Sequence, residues 1–323
     1  MRAVASINGE LRLLSGTANP ALSERIAREI GVALGEMQIK RFADGEIDVK
    51  IADSVRGQDV FVIQPTCPPV NENLIELFII LDALRRASAV RINAVIPYYG
   101  YARKEKKTQA RDPITAKLMA NIIQNAGASR VICVDLHAEA IQGFFDIPVD
   151  ALTATKILAR HVRERHGGNV VIVSPDVGGT ARARALARNL DDASIAIIDK
   201  RRPRDDEVEV NTVIGEVAGR RCVIVDDLVS TGGTLVSAST ALRREGATAV
   251  DVVSTHGVLS NGALDRLHAA PIDEICITDT IPLREGQYNP DDHSRLRVLN
   301  VAPLLAEAIV RVHEGRSVSE LFR

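Results

Sequence analysis

The chain has 323 residues, with 40 Lys and Arg against 42 Asp and Glu, giving a net charge of −2. Hydrophobic residues make up 46% and charged residues 25%, the balance of a globular protein of about two domains. Near-neutral charge argues against a nucleic-acid binder. No 18-residue apolar run marks a membrane span, and residues 1–10 lack the apolar core of a secretory signal.

Taken in chain order, strand-length apolar runs alternate with helical periods. Runs at 60–63, 94–96 and 131–134 occupy the first half, and runs at 170–173, 195–198, 222–225 and 250–254 the second. They are continuous and rich in Val and Ile, the pattern of parallel strands buried on both faces. Leu74, Leu77, Phe78, Leu81 and Leu84 form a helical stripe that Asn73 is placed to cap. Further helices are expected over 157–165, 180–190 and 234–244. A turn at 143–148 suggests a boundary near 148–152, with domains of 1–150 and 151–323 and the C-terminal segment packing back on the first. The expected fold is α/β: two similar domains, each a mainly parallel sheet flanked by helices. Cys67, Cys133, Cys222 and Cys276 sit in or beside apolar runs, without CxxC or Cys/His ligand spacing. They read as reduced core residues of a cytoplasmic protein.

Ligands of such sheets bind beyond the carboxyl ends of the strands. Those ends are polar here: Gln64-Pro65-Thr66, Pro97-Tyr98-Tyr99, Asp135-Leu136-His137, Ser174-Pro175-Asp176, Asp199-Lys200-Arg201-Arg202 and Asp226-Asp227. The sharpest local signal is Val225-Asp226-Asp227-Leu228-Val229-Ser230-Thr231-Gly232-Gly233-Thr234. A buried strand ends in two carboxylates, a loop of glycines and hydroxyls follows, and a helix begins. Glycines let backbone N–H groups converge on an anion, and the helix N-terminus adds positive potential. Two carboxylates beside a phosphate site make sense if they hold sugar hydroxyls or a cation. The chain has no Gly-Lys pair and no Gly-x-Gly, which removes the P-loop and dinucleotide fingerprints. Lys200 is the only lysine after Lys156, in a chain of 8 Lys and 32 Arg. A compact ammonium kept at a strand end suits a phosphate contact and a surface salt bridge equally well.

The 226–234 stretch resembles the phosphoribosyl-pyrophosphate motif of phosphoribosyltransferase-fold proteins. Other segments resemble ribose-phosphate pyrophosphokinases more narrowly: Arg41-Phe42-Ala43-Asp44-Gly45-Glu46, Pro97-Tyr98-Tyr99-Gly100-Tyr101-Ala102-Arg103, Val134-Asp135-Leu136-His137 and Ile198-Asp199-Lys200-Arg201-Arg202-Pro203. The resemblance runs from about residue 10 to the C-terminus. It implies transfer of the β,γ-diphosphoryl group of Mg-ATP to the anomeric hydroxyl of ribose 5-phosphate, giving phosphoribosyl pyrophosphate (PRPP) and AMP.

By the same resemblance, Lys200, Arg202 and Arg103 are catalytic, and Arg103 lies in a flexible loop. Phe42, Asp44, Gly45, Glu46, Arg103 and Lys104 bind ATP. Arg202, Asp226, Asp227, Ser230, Thr231, Gly232, Gly233 and Thr234 bind ribose 5-phosphate, and His137 and Asp176 hold Mg2+. A homo-oligomer, a hexamer with sites shared between subunits, is the expected assembly. Two departures stand out: Lys104-Glu105-Lys106 where relatives often carry Gln-Asp-Arg, and Ser230 where many bacterial relatives carry Asp. A base phosphoribosyltransferase shares the 226–234 loop but not the Phe42 loop, Arg103 or Lys200. A non-catalytic regulatory homologue would have lost part of the set, whereas Arg103, His137, Asp176, Lys200, Arg202, Asp226 and Asp227 are all present.

Overall fold

The computed structural model describes residues 9–167, 169–201, 210–284, 286, 288–289, 291 and 293–321. It divides into two compact units: residues 1–153 with 280–282 and 301–323, and residues 154–279 with 283–300.

In the first unit the chain runs through β1 (Leu11–Ser15), α1 (Pro20–Ile30), β2 (Met37–Arg41), β3 (Ile47–Ile51), β4 (Asp59–Ile63), α2 (Val70–Arg86), β5 (Arg91–Ile96), α3 (Thr115–Ala126), β6 (Arg130–Val134) and β7 (Val149–Leu152). Strands β1-β4-β5-β6-β7 form one sheet in that order, all parallel. Val60 and Val62 pack with Leu77, Ile80, Leu81 and Leu84 of α2 into one core. The leucine stripe is therefore buried as its period requires, with Phe78 packed at its edge. Asn73 does not cap α2. The helix starts at Val70 with Pro69 as its N-cap residue, and the Asn73 amide donates to the Cys67 carbonyl at 2.7 Å. Strands β2 and β3 form a separate antiparallel hairpin. Met37, Ile39, Val49 and Ile51 lay its apolar face on the core while the alternate residues face outward.

The second unit contains α4 (Thr155–His166), β8 (Val171–Ser174), α5 (Thr180–Arg188), β9 (Ser194–Arg201), β10 (Val210–Ile214), β11 (Arg221–Val229), α6 (Gly233–Arg244), β12 (Ala249–Gly257), α7 (Ala263–Ala269), β13 (Glu274–Thr278) and β14 (Leu296–Leu299). Its seven strands run β10-β9-β8-β11-β12-β13-β14, parallel except for β10 against β9. Alternate residues of β11 enter two cores. Cys222 and Ile224 pack with Leu235, Ala238 and Leu242 of α6. Val223 and Val225 pack with Leu158 and Val162 of α4 and Ala183 and Leu186 of α5. A strand with both faces covered has no polar face to alternate with, hence the continuous apolar run. The last helix, α8 (Ala302–His313), belongs to the first unit and packs on α1. All four cysteines are buried thiols. No helix of the described residues is long and apolar enough to cross a membrane.

Candidate active site

The second sheet reverses direction once around β8. From β8 the chain crosses through α5 to β9 on one side, and then builds β11, β12 and β13 on the other. The gap beyond the carboxyl ends of β8 and β11 is thus a topological switch point, where crossover connections diverge and leave a crevice. Asp176 follows β8, whereas Asp226 and Asp227 lie within β11, which does not end at the carboxylates but runs on to Val229 before its loop.

Asp227 is 3% exposed, and Asp226 shows more of its surface. Arg182 of α5 bridges them, with one guanidinium nitrogen 3.1 Å from Asp226 Oδ1 and the other 3.0 Å from Asp227 Oδ1. The Asp227 N–H also donates to Asp226 Oδ1 at 2.9 Å. Burial, then the neighbouring Asp227 charge, pushes the Asp226 carboxyl up to about 7 against the pull of Arg182. Acids crowded in this way are a feature of functional sites.

The loop after β11 turns at Gly232, which has φ +79° and precedes the first turn of α6. A Cβ there would come within 3.1 Å of the Leu267 side chain, so the conformation favours glycine and a side chain would crowd Leu267. The loop is fastened from outside: Ser260 N–H donates to the Ser230 carbonyl at 3.0 Å, and Arg266 donates to the Thr231 carbonyl. The first turn of α6 carries no acidic residue and no side-chain cap. Its N–H groups, with exposed Thr231, Gly233 and Thr234, form a ready anion cradle.

Asp176 accepts the Gly179 N–H at 2.8 Å through Oδ1, closing the turn into α5. Its side chain is exposed. Lys200 lies in β9, where it pairs with Asn211 of β10. Arg202 lies outside the described residues.

In the first unit, Phe42, Asp44, Gly45 and Glu46 form the turn of the β2–β3 hairpin. Phe42 N–H donates to the Glu46 carbonyl at 2.8 Å, and Asp44 Oδ1 accepts Glu46 N–H at 3.2 Å. This turn leaves the Phe42 ring 56% exposed, so the ring is no core residue and is open to stack on a ligand. Beyond β5, Tyr98 and Tyr99 are buried and the Tyr99 hydroxyl donates to the Ala116 carbonyl at 3.0 Å. The chain then emerges at Gly100, whose missing Cβ lets it pass the Thr66 carbonyl. Arg103 and Lys104 are exposed on the loop that follows.

Asp112 organises that loop by accepting from Thr108 N–H and Oγ1, Gln109 N–H and the Lys104 ammonium. The Thr108 hydroxyl first and Lys104 next hold its carboxyl down at about 2. His137 is exposed just after β6. Burial pushes the Glu105 carboxyl up, but the Lys106 hydrogen bond and the charges of Lys106 and His137 outweigh it and leave it lowered. Among the described residues no three His, Cys, Asp or Glu side chains gather as a closed metal site.

The structure thus brings Asp226, Asp227 and the 230–234 loop together on the second unit, and places the Phe42 turn, the basic loop and His137 on the first unit. Two participants are not apparent from sequence. Arg182 sits among similar arginines in Thr180-Ala181-Arg182-Ala183-Arg184. Glu76 is 1% exposed within the apolar stripe of α2. It accepts from Thr17 N–H, Thr17 Oγ1 and Gln64 at 2.6–2.8 Å, and so fixes the strand ends of β1 and β4. An acid inside an apolar helical face was its only signal.

Comparison with known proteins agrees along the whole chain. A family model for the N-terminal domain of ribose phosphate pyrophosphokinase matches residues 11–127, and one for the phosphoribosyl synthetase-associated domain matches residues 205–323. The ribose-phosphate pyrophosphokinase of Caldanaerobacter subterraneus subsp. tengcongensis is 52% identical over 320 residues, covering 99% of this chain and 100% of its own. That of a Synechocystis strain is 50% identical over 325 residues, covering 100% and 96%. The crystal structure of phosphoribosylpyrophosphate synthetase from Mycobacterium smegmatis superposes with a TM-score of 0.89 at 42% identity, covering 95% of this chain and 99% of that one. The chain belongs to the ribose-phosphate pyrophosphokinase family.

Proposed function

We propose that the chain transfers the β,γ-diphosphoryl group of ATP to ribose 5-phosphate, giving PRPP and AMP for nucleotide biosynthesis. The observation that carries this reading is the 50–52% identity to ribose-phosphate pyrophosphokinases over 99–100% of this chain, with the acidic pair beside an uncapped helix N-terminus in the second sheet supporting a sugar-phosphate site. The pair suits vicinal sugar hydroxyls and the 230–234 cradle suits a 5-phosphate, so one strand end recognises both parts of a sugar phosphate.

The anomeric oxygen attacks the β-phosphorus. The bond from that phosphorus to the oxygen bridging to the α-phosphate breaks, AMP leaves with that oxygen, and the hydroxyl proton is released. Such a transfer needs alignment and charge neutralisation more than covalent help. Lys200, Arg202 and Arg103 are assigned to the transferred phosphates. Phe42, Asp44, Gly45, Glu46 and Lys104 are assigned to the nucleotide, the exposed ring stacking on adenine and the turn supplying acceptors for its amino group.

Mg2+ is the assigned metal. One or two protein ligands completed by substrate phosphates are its usual shell; His137 and Asp176, each exposed beyond a strand of its own unit, are assigned to it. When bound, it would neutralise the phosphate oxygens. A cytoplasmic homohexamer with sites shared between subunits completes the proposal.

Positional labelling tests the reaction. With ATP carrying 32P at the β or the γ position, both labels should appear in PRPP. Label retained at the β position in ADP would reject diphosphoryl transfer.

A further inference from the structure

We propose that Arg182 is a positioning residue for the sugar: it holds Asp226 and Asp227 as one oriented, half-neutralised acceptor for the ribose hydroxyls. This rests on the reading of Asp226 and Asp227 as the sugar-binding pair.

Three observations carry the inference. First, the guanidinium spans the pair, taking Oδ1 of each carboxylate at 3.1 and 3.0 Å. A planar fork of fixed geometry sets the angle between the two carboxylates, which a lysine could not do. Second, the contact is selected. Arg184 and Arg188 on the same helix are exposed, whereas Arg182 is drawn in to 25% side-chain exposure.

Third, the electrostatics require a counter-charge. Asp227 is nearly enclosed and adjoins Asp226, and the cradle for a dianionic phosphate begins three residues later. Unneutralised, the pair would repel that phosphate and resist ionisation. With Arg182 in place, the fully ionised pair carries one net negative charge instead of two. An acidic pair and an anion cradle can then share one strand end.

Steady-state kinetics on Arg182→Met, Arg182→Lys and Asp227→Asn test the inference, with Arg184→Met as the control on the exposed side of α5. Losing a hydrogen-bonded charge should raise KM for ribose 5-phosphate roughly 10- to 100-fold. KM for ATP should stay within about threefold, and Arg182→Lys should recover part of the loss because it restores charge without the fork. Calorimetric titration with ribose 5-phosphate alone should show the same order of affinities. A purely structural role for Arg182 would lower the melting temperature and the active fraction, leaving both KM values as in the wild type, and would overturn the inference.

If Arg182→Met does not fold, an unchanged KM for ribose 5-phosphate in the folded Arg182→Lys variant would overturn it equally. An unchanged affinity in Asp227→Asn would reject the sugar-binding pair itself, and the inference with it. A weakened Asp227→Asn beside a normal Arg182→Met would reject the inference alone.

Discussion

Replacing Asp226 with asparagine should stabilise the folded protein above neutral pH while damaging its binding site. The native carboxyl is pushed up to about 7 from an ordinary 3.8, by burial first and by Asp227 second. Between those values the folded state holds a proton that the unfolded chain has released. The unfolded state then binds fewer protons, so wild-type stability falls as pH rises through this window and levels off above about 7. About three pH units, at roughly 1.4 kcal/mol each, set a ceiling of about 4 kcal/mol. Asp226, Asp227 and Arg182 titrate as one group, and an asparagine amide keeps only part of the Arg182 contact, so a net gain of about 1–3 kcal/mol at pH 8 is expected.

The assay is thermal unfolding of wild type and Asp226→Asn from pH 5 to pH 8.5, without substrate or metal. The difference in melting temperature should be near zero at pH 5 and reach several degrees at pH 8, at roughly 2–4 °C per kcal/mol for a unit of this size. The same variant should lose affinity for ribose 5-phosphate, an exchange of stability for function that strained sites commonly show. Parallel curves across the whole range, or a variant less stable at pH 8, would refute the reasoning.

Other outcomes follow from the same geometry. Lys200→Ala and Arg103→Ala should each lower turnover by about 10²- to 10⁴-fold with unfolding curves unchanged; wild-type turnover in either folded variant removes that residue from the mechanism. Gly232→Ala should cost roughly 1–2 kcal/mol from its positive φ alone, and should weaken ribose 5-phosphate binding by shifting the loop against Leu267, as titration calorimetry would report. Asp59 is fully buried, accepts from Arg91 and Asn93, and meets His313 of α8 at 2.8 Å. Asp59→Ala should destabilise the first unit by about 3–5 kcal/mol, and a chemical-denaturation midpoint equal to the wild type would contradict that anchoring role.

What the sequence disclosed follows from the physics of parallel sheets. Strands such as β4, β6 and β11 are covered on both faces, so their Val and Ile runs stand out without any partner in view. The polar residues after them mark the ligand edge for the same reason, and the 226–234 loop carries its chemistry in consecutive residues. The β2–β3 hairpin is half-exposed and alternates, so it does not register among continuous runs, although its turn is identifiable by resemblance. Asn73 has the chemistry of a helix cap, yet α2 begins a turn earlier because its start is built from backbone and Pro69. Arg182 was invisible for a deeper reason. Nothing in the local sequence separates it from Arg184 or Arg188, and only the adjacency of β8 and β11 delivers it to the carboxylates.

The most direct test of the account is the yield of AMP and PRPP from ATP and Mg2+, with and without ribose 5-phosphate. The account predicts equal amounts of both products, formed only when both substrates are present. A folded protein that binds ATP or ribose 5-phosphate but releases neither product would contradict it and mark the chain as a binding homologue of the family.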